Sequence, residues 1–215
     1  MAFGVTSFDA LNQLVGMKRS EPFKEFYAPM HLTKEQKRER QRLAEAFEEE
    51  FLYMMSYMFY AYPTLNEQMV YDLRDAYIRA IEEVGLYSMV DQYYRQAEKF
   101  AIDCIETTQR HKEDPYFYSA DRARLNAEDQ SNRVYDFKDF NDAVANGMRY
   151  KTWNTVGDNR VRDSHEEVEG LTIPISDLFV LHGGLLAYPH DSSHGADTSE
   201  LSGCRCTLTY SNEQP

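Results

Sequence analysis

Two thiols and an imidazole are the side chains in this sequence best suited to chemistry. Cys204 and Cys206 flank Arg205 in the stretch SGCRCTLTY, and His165 lies in RVRDSHEEVEG. Zinc takes thiolate and neutral imidazole in tetrahedral sets, so His165, Cys204 and Cys206 form a candidate metal group. His182, His190, His194 or Asp158 would complete it. If CRCTLTY is a strand, both thiols point to one side of it, and Leu208 continues that alternation and marks the side as inward.

The same residues admit other readings. Side chains two apart on a strand start nearly 7 Å apart, while two sulfurs on one zinc lie about 4 Å apart. Without metal, Cys204 and Cys206 would be small core residues beside a polar network of Asp158, Arg162, His165 and Arg205. Asp158, Arg162 and His165 are spaced four and three apart, which puts them on one face of a short helix with Asp158 able to pair with Arg162. A cysteine with histidine and aspartate can also supply a nucleophile, a base and an orienting group, and His165 with Asp163 or Glu166 could serve a metal hydrolase. Against catalysis, the sequence has no glycine-rich phosphate loop, no second histidine at helical spacing and no nucleophile elbow. A disulfide across one residue would be strained.

Helices must carry most of the chain that positions these groups. Thr33-Lys-Glu-Gln36 is a capping-box signature. Beyond it Leu43, Phe47, Phe51, Met54, Met55 and Met58 recur at helical steps, and Pro63 should end that helix. Thr64-Leu-Asn-Glu67 opens a second helix lined by Val70, Leu73, Tyr77, Ala80, Ile81 and Val84 and closed at Gly85. A third is expected over about 86–110, with Met89, Tyr93, Ala97, Phe100, Ala101 and Cys104 inward. The basic run Lys34, Lys37, Arg38, Arg40 and Arg42 alternates with glutamates, which reads as a solvated helix face of close ion pairs. From His111 to Tyr135 the pattern weakens, as in a connection with at most a short helix. Asp136 then caps a last helix carrying Phe137, Phe140 and Val144 and ending near Gly147. After Tyr150 short strands, turns and four of the six histidines appear. The expected fold is α+β: residues 1–32 an arm, 33–149 an antiparallel helical unit, and 150–215 a small loop-rich module centred on Trp153.

Composition narrows the function. A chain of 215 residues with 42% apolar content should fold. A net charge of -13 opposes any broad electrostatic grip on nucleic acid. No stretch reaches the length of a membrane span, and the N-terminus lacks the order of a secretory signal. Three separated cysteines are no disulfide framework, so the expectation is a soluble protein of a reducing compartment.

The C-terminal residues also form an ordered series. Lys151, Trp153, Asp158, Arg162, His165 and Gly170 give K-x-W-x4-D-x3-R-x2-H-x4-G, followed by Pro174, Phe179, Tyr188-Pro189-x-Asp191 and C-R-C-T from Cys204. The series resembles the C-terminal module of the phage Mu F-like (MuF) minor head proteins, a head morphogenesis family, over roughly the last 65 residues. The resemblance implies a minor capsid protein of a tailed phage, bound near the portal vertex and aiding head assembly or DNA packaging and ejection. It implies the portal protein and the major capsid protein or scaffold as partners, weak contact with packaged DNA, and no membrane. The expected location is the virion, with the host cytoplasm during assembly, and no enzymatic role. Tyr- and Met-rich helix faces would then be docking surfaces. The alternative is a metal-dependent hydrolase, a nuclease or a peptidoglycan-active enzyme, carried in the head. Zinc is the cofactor the residue types suggest, if there is one.

Overall fold

A computed structural model of the chain describes residues 23–61, 66–87 and 90–213. It separates into two compact units, one of residues 42–127 and one of residues 23–41 together with 128–213. The fold is α+β, as the sequence led us to expect.

The first unit is helical. Helix α2 (Lys34–Ala61) belongs to it from Arg42 on, and starts, within the second unit, at the capping box: the Thr33 N–H donates to Gln36 Oε1 at 3.0 Å, and the Gln36 N–H returns the bond to Thr33 Oγ1 at 3.2 Å. Its stripe of Leu43, Phe47, Phe51, Met54, Met55 and Met58 is buried. Helix α3 (Glu67–Glu83) is capped by Asn66, whose side chain accepts the Met69 N–H. Pro63, Thr64 and Met89 lie outside the described residues, as do residues 1–22 of the arm expected over 1–32, whose remainder includes a helix with a buried face. Gly85, at φ +83, ends α3 in the left-handed conformation that glycine adopts without steric cost. Helix α4 (Val90–Arg110) packs on α3. Phe47, Phe51, Tyr77 and Phe100 meet in one aromatic cluster, with ring centroids 4.5 Å apart for Phe47–Tyr77 and 4.8 Å for Phe51–Phe100. Cys104 is buried on the inner face of α4, and burial pushes its thiol up.

The stretch expected to be a connection is mostly helix. A 3-10 turn (Pro115–Tyr118) leads through Ser119 into α5, which runs unbroken over Ala120–Ala145. Its apolar period is weak because much of what it buries is polar: Arg122, Arg124, Glu128, Asp129, Gln130, Ser131, Asn132 and Asp136. Such residues are held by hydrogen bonds, and a hydrophobicity pattern does not reveal them. In the first unit, the Arg122 guanidinium donates to the carbonyl oxygens of Phe117 at 2.7 Å and Cys104 at 3.2 Å.

In the second unit the basic run departs from a solvated face. Arg38 pairs with Glu35 in the open, but Arg40 is 1% exposed. It reaches Asp136 at 3.0 Å and Asp139 at 2.9 Å, and donates to the Asn132 carbonyl. Of the basic run, α5 covers Arg40 alone, whose charge finds its partners in the interior, while Lys34, Arg38 and Arg42 stay exposed. Helix α1 (Phe23–Tyr27) buries Phe23, Phe26 and Tyr27 in the same unit.

Five short strands follow α5. β1 (Tyr150–Asn154) is central in an antiparallel sheet between β2 (Thr172–Pro174) and β5 (Thr207–Ser211), with Trp153 opposite Leu208. β3 (Phe179–Leu181) and β4 (Gly184–Leu186) form a hairpin. Trp153, fully buried, centres a cluster with Val168, Phe179, Leu181, Leu186, Leu201, Cys204 and Cys206. Two single-turn helices, α6 (Asp163–Glu166) and α7 (Thr198–Leu201), border it.

Candidate metal centre

The two cysteines do not lie on a strand. β5 begins at Thr207, and residues 204–206 form an irregular turn after α7 in which the Cys206 N–H points at Cys204 Sγ, 3.4 Å away. The donor atoms of His165, Cys204 and Cys206 lie within 4.8 Å of one another, closer than the nearly 7 Å at which side chains two apart on a strand start. Both sulfurs are buried, at 2% and 3% exposure.

His165 sits on α6, 1% exposed, with its ring edge-on to Trp153 at 5.4 Å. Its Nδ1 is 3.3 Å from Cys206 Sγ and 3.7 Å from Cys204 Sγ. Its Nε2 is 3.0 Å from Glu200 Oε2 on α7. That carboxylate also accepts from Ser164 Oγ at 2.8 Å and from the Gly183 N–H at 2.9 Å. Burial alone would raise the Glu200 carboxyl, but the bonds from Ser164 and Gly183, with His165 beside it, hold it below the usual range. An ionised Glu200 accepts from Nε2, and Nδ1 is the ring atom that faces the two sulfurs.

Hydrogen bonding with Cys206 pulls the Cys204 thiol well down against burial, helped by His165 and His190, and the same contact together with burial pushes Cys206 up. A cavity of about 10 Å³, room for roughly one water, touches His165, Cys204 and Cys206. Val156, Arg160, Arg162 and Arg205 supply part of the remaining wall.

The turn that carries the cysteines is fixed from α5. The Gly203 N–H donates to Asp129 Oδ1 at 2.8 Å, and Asn132 Nδ2 donates to the Cys204 carbonyl at 3.3 Å. Asp158 pairs with Arg205 at 2.7 Å and not with Arg162. Residues 158–162 are turns and bends and not helix, so the three-residue row does not form, and Arg162 instead donates to the Ser202 carbonyl. The bond from Arg205 is the main influence holding the Asp158 carboxyl low.

The proposed fourth ligands fall elsewhere. His182 is exposed beside Glu167, and His194 is held by Asp191. His190 is buried against Asp136 at 2.7 Å; burial works to lower its pKa, but the Asp136 bond together with the charges of Cys204, Asp129 and Asp136 raises it. Among the described residues, the donors lying within 4.8 Å of one another are those of His165, Cys204 and Cys206.

A family comparison carries this arrangement beyond its own geometry. The sequence matches the family described as Phage Mu protein F like protein over residues 71–209. The chain belongs to that family. The match begins in α3, well ahead of the C-terminal residues that carry the resemblance, so the Mu F-like sequence takes in α4 and α5 as well. Mu F-like proteins are phage head morphogenesis proteins, minor structural components of the capsid, and the chain is a virion protein by that membership. Among the described residues, no helix is long and apolar enough to cross a membrane. Searches of curated proteins and of solved structures each returned no match.

Glu200 is the functional residue that sequence reasoning passed over. It carried no role there, because 35 positions separate it from His165 and no spacing rule spans a stretch of that length. The only local signal was an acidic residue opening the stretch that leads to the cysteines.

Proposed function

We propose that this Mu F-like protein acts at the portal vertex of a tailed-phage head, where it binds the portal and neighbouring capsid or scaffold subunits. From there it assists assembly and the packaging or ejection of DNA, by binding and not by catalysis. The observation that carries the reading is the family match over residues 71–209. Two features support the finer role. The net charge of -13 favours protein partners over phosphate. In the first unit the methionines of α2 are core, while Tyr53 at 64% and Tyr87 at 68% exposure present aromatic surface of the kind interfaces use. A binding role also agrees with the cysteine site, where the sulfurs are buried and the adjoining cavity has room for a water but not for a substrate.

The test is co-purification with the cognate portal, together with DNA binding and hydrolysis assays on the isolated chain. Stable association with the portal is expected, with DNA binding that is weak and fades as salt rises. Nanomolar DNA affinity at physiological salt without the portal, or metal-dependent turnover of DNA or peptidoglycan, would overturn it.

A further inference from the structure

We propose that His165 Nδ1, Cys204 Sγ and Cys206 Sγ bind one zinc ion, with Glu200 as the carboxylate that orients the histidine and a water in the adjoining cavity as the fourth ligand. The donor separations agree with this. With zinc–sulfur bonds of ~2.3 Å and zinc–nitrogen bonds of ~2.0 Å in a tetrahedron, nitrogen and sulfur stand ~3.6 Å apart and two sulfurs ~3.8 Å apart. The Nδ1–Sγ distances here are 3.3 and 3.7 Å, and all three donor atoms lie within 4.8 Å of one another. The group is preformed to within a small inward movement.

The environment selects the same ion. Two thiolates and an imidazole form a soft, nitrogen–sulfur set that suits zinc and not magnesium or calcium. Metal-bound histidine typically donates its other ring N–H to a carboxylate, and Glu200 stands at 3.0 Å from Nε2 for that purpose. Glu200 is itself held by Ser164 and the Gly183 N–H, so the ring cannot turn without breaking a chain of bonds. A plain core would need no imidazole whose Nδ1 faces two sulfurs with a fixed carboxylate behind it. Bound zinc displaces the thiol protons to solvent, and its double positive charge balances two thiolates. Arg162 and Arg205, which also border the cavity, have their guanidinium groups engaged by the Ser202 carbonyl and by Asp158. The ion would tie α6 to the turn before β5 across the Trp153 cluster, as a staple for a module with short strands and little repetitive structure.

The experiment uses the full chain, produced with zinc in the medium and purified under reductant without chelator. Elemental analysis should find about one zinc per chain, as three protein donors converging on one point predict. Cobalt(II) in place of zinc should give the visible bands of a tetrahedral site and a thiolate-to-cobalt charge-transfer band sized for two thiolates. Cys206→Ser and Cys204→Ser should each lose the metal, while Cys104→Ser keeps it. Glu200→Gln should keep the cobalt spectrum but weaken affinity by about 10–100-fold, measured against a chromophoric chelator. A folded wild-type chain that takes up neither zinc nor cobalt overturns the proposal, as does a cobalt spectrum without thiolate bands. If the cysteine variants fail to fold, the wild-type spectrum and Glu200→Gln decide alone. Metal is read on the isolated chain, so a negative result here leaves the portal reading standing, and failure to bind the portal leaves the metal result intact.

Discussion

Lys151→Met should erase a rise in stability that the wild-type protein shows as the solution turns alkaline. Lys151 is on the central strand β1, fully buried, with Nζ donating to the Ala187 carbonyl at 2.7 Å. The ammonium lies over Phe140 at 5.1 Å and Phe179 at 5.3 Å. Burial lowers its pKa to about 8, against the pull of Asp191 and Asp177. The unfolded value is ~10.4, so between those two pH values the unfolded chain carries a proton that the folded chain has released. Stability therefore rises with pH through that window. The gain is ~1.4 kcal/mol between pH 7 and pH 9 and ~2.5 kcal/mol by pH 10. Methionine keeps an apolar stem between the rings and cannot titrate. The assay is urea unfolding of both proteins under reductant at pH 7, 8 and 9, followed by the fluorescence of Trp153, the single tryptophan of the chain. Thiol ionisation contributes equally to both and cancels in the difference. Burial raises Tyr188 and Tyr210, which stay neutral in the fold and begin to cost stability only above ~10, where the unfolded phenol ionises. Wild type should gain on the variant steadily above pH 8. Parallel stability curves for the two proteins would refute the assignment of a depressed Lys151.

Trp153→Ala should cost ~3–5 kcal/mol, since it empties the centre of the cluster formed with Phe179, Leu186 and Leu201, and hydrogen exchange of the β1, β2 and β5 amides should quicken. Protection of those amides unchanged from wild type would contradict that placement. Arg40→Met should cost ~3–5 kcal/mol, because it leaves the buried Asp136 and the half-buried Asp139 without their guanidinium partner. Burial already raises the Asp139 carboxyl above its ordinary range despite Arg40, so the variant should titrate Asp139 at higher pH still, as carbon-13 shifts of the carboxyl would report. Portal association with weak, salt-sensitive DNA binding, and zinc lost on removing either Cys204 or Cys206, complete the set.

Local chemistry was legible in the residues themselves. The Thr33–Gln36 box and the stripe from Leu43 to Met58 follow from hydrogen bonds and packing between neighbours three and four positions apart, and the fold reproduces both. The ordered series after Lys151 pointed to the Mu F-like family, and the types of His165, Cys204 and Cys206 pointed to soft-metal chemistry before any geometry was known. α5 was not legible between His111 and Tyr135, because a helix that buries arginines, aspartates and amides carries no apolar period. Arg40 looked like surface charge for the same reason: its partners, Asp136 and Asp139, lie 96 and 99 positions away. The cysteines seemed to need a strand, and a strand would have held their sulfurs apart. The turn over 204–206, pinned by Asp129 and Asn132, brings them together. His165 meets Cys206 across 41 positions and Glu200 across 35. Periodicity and capping act within a few residues along the chain, whereas a site of this kind is assembled by the way distant segments close around Trp153.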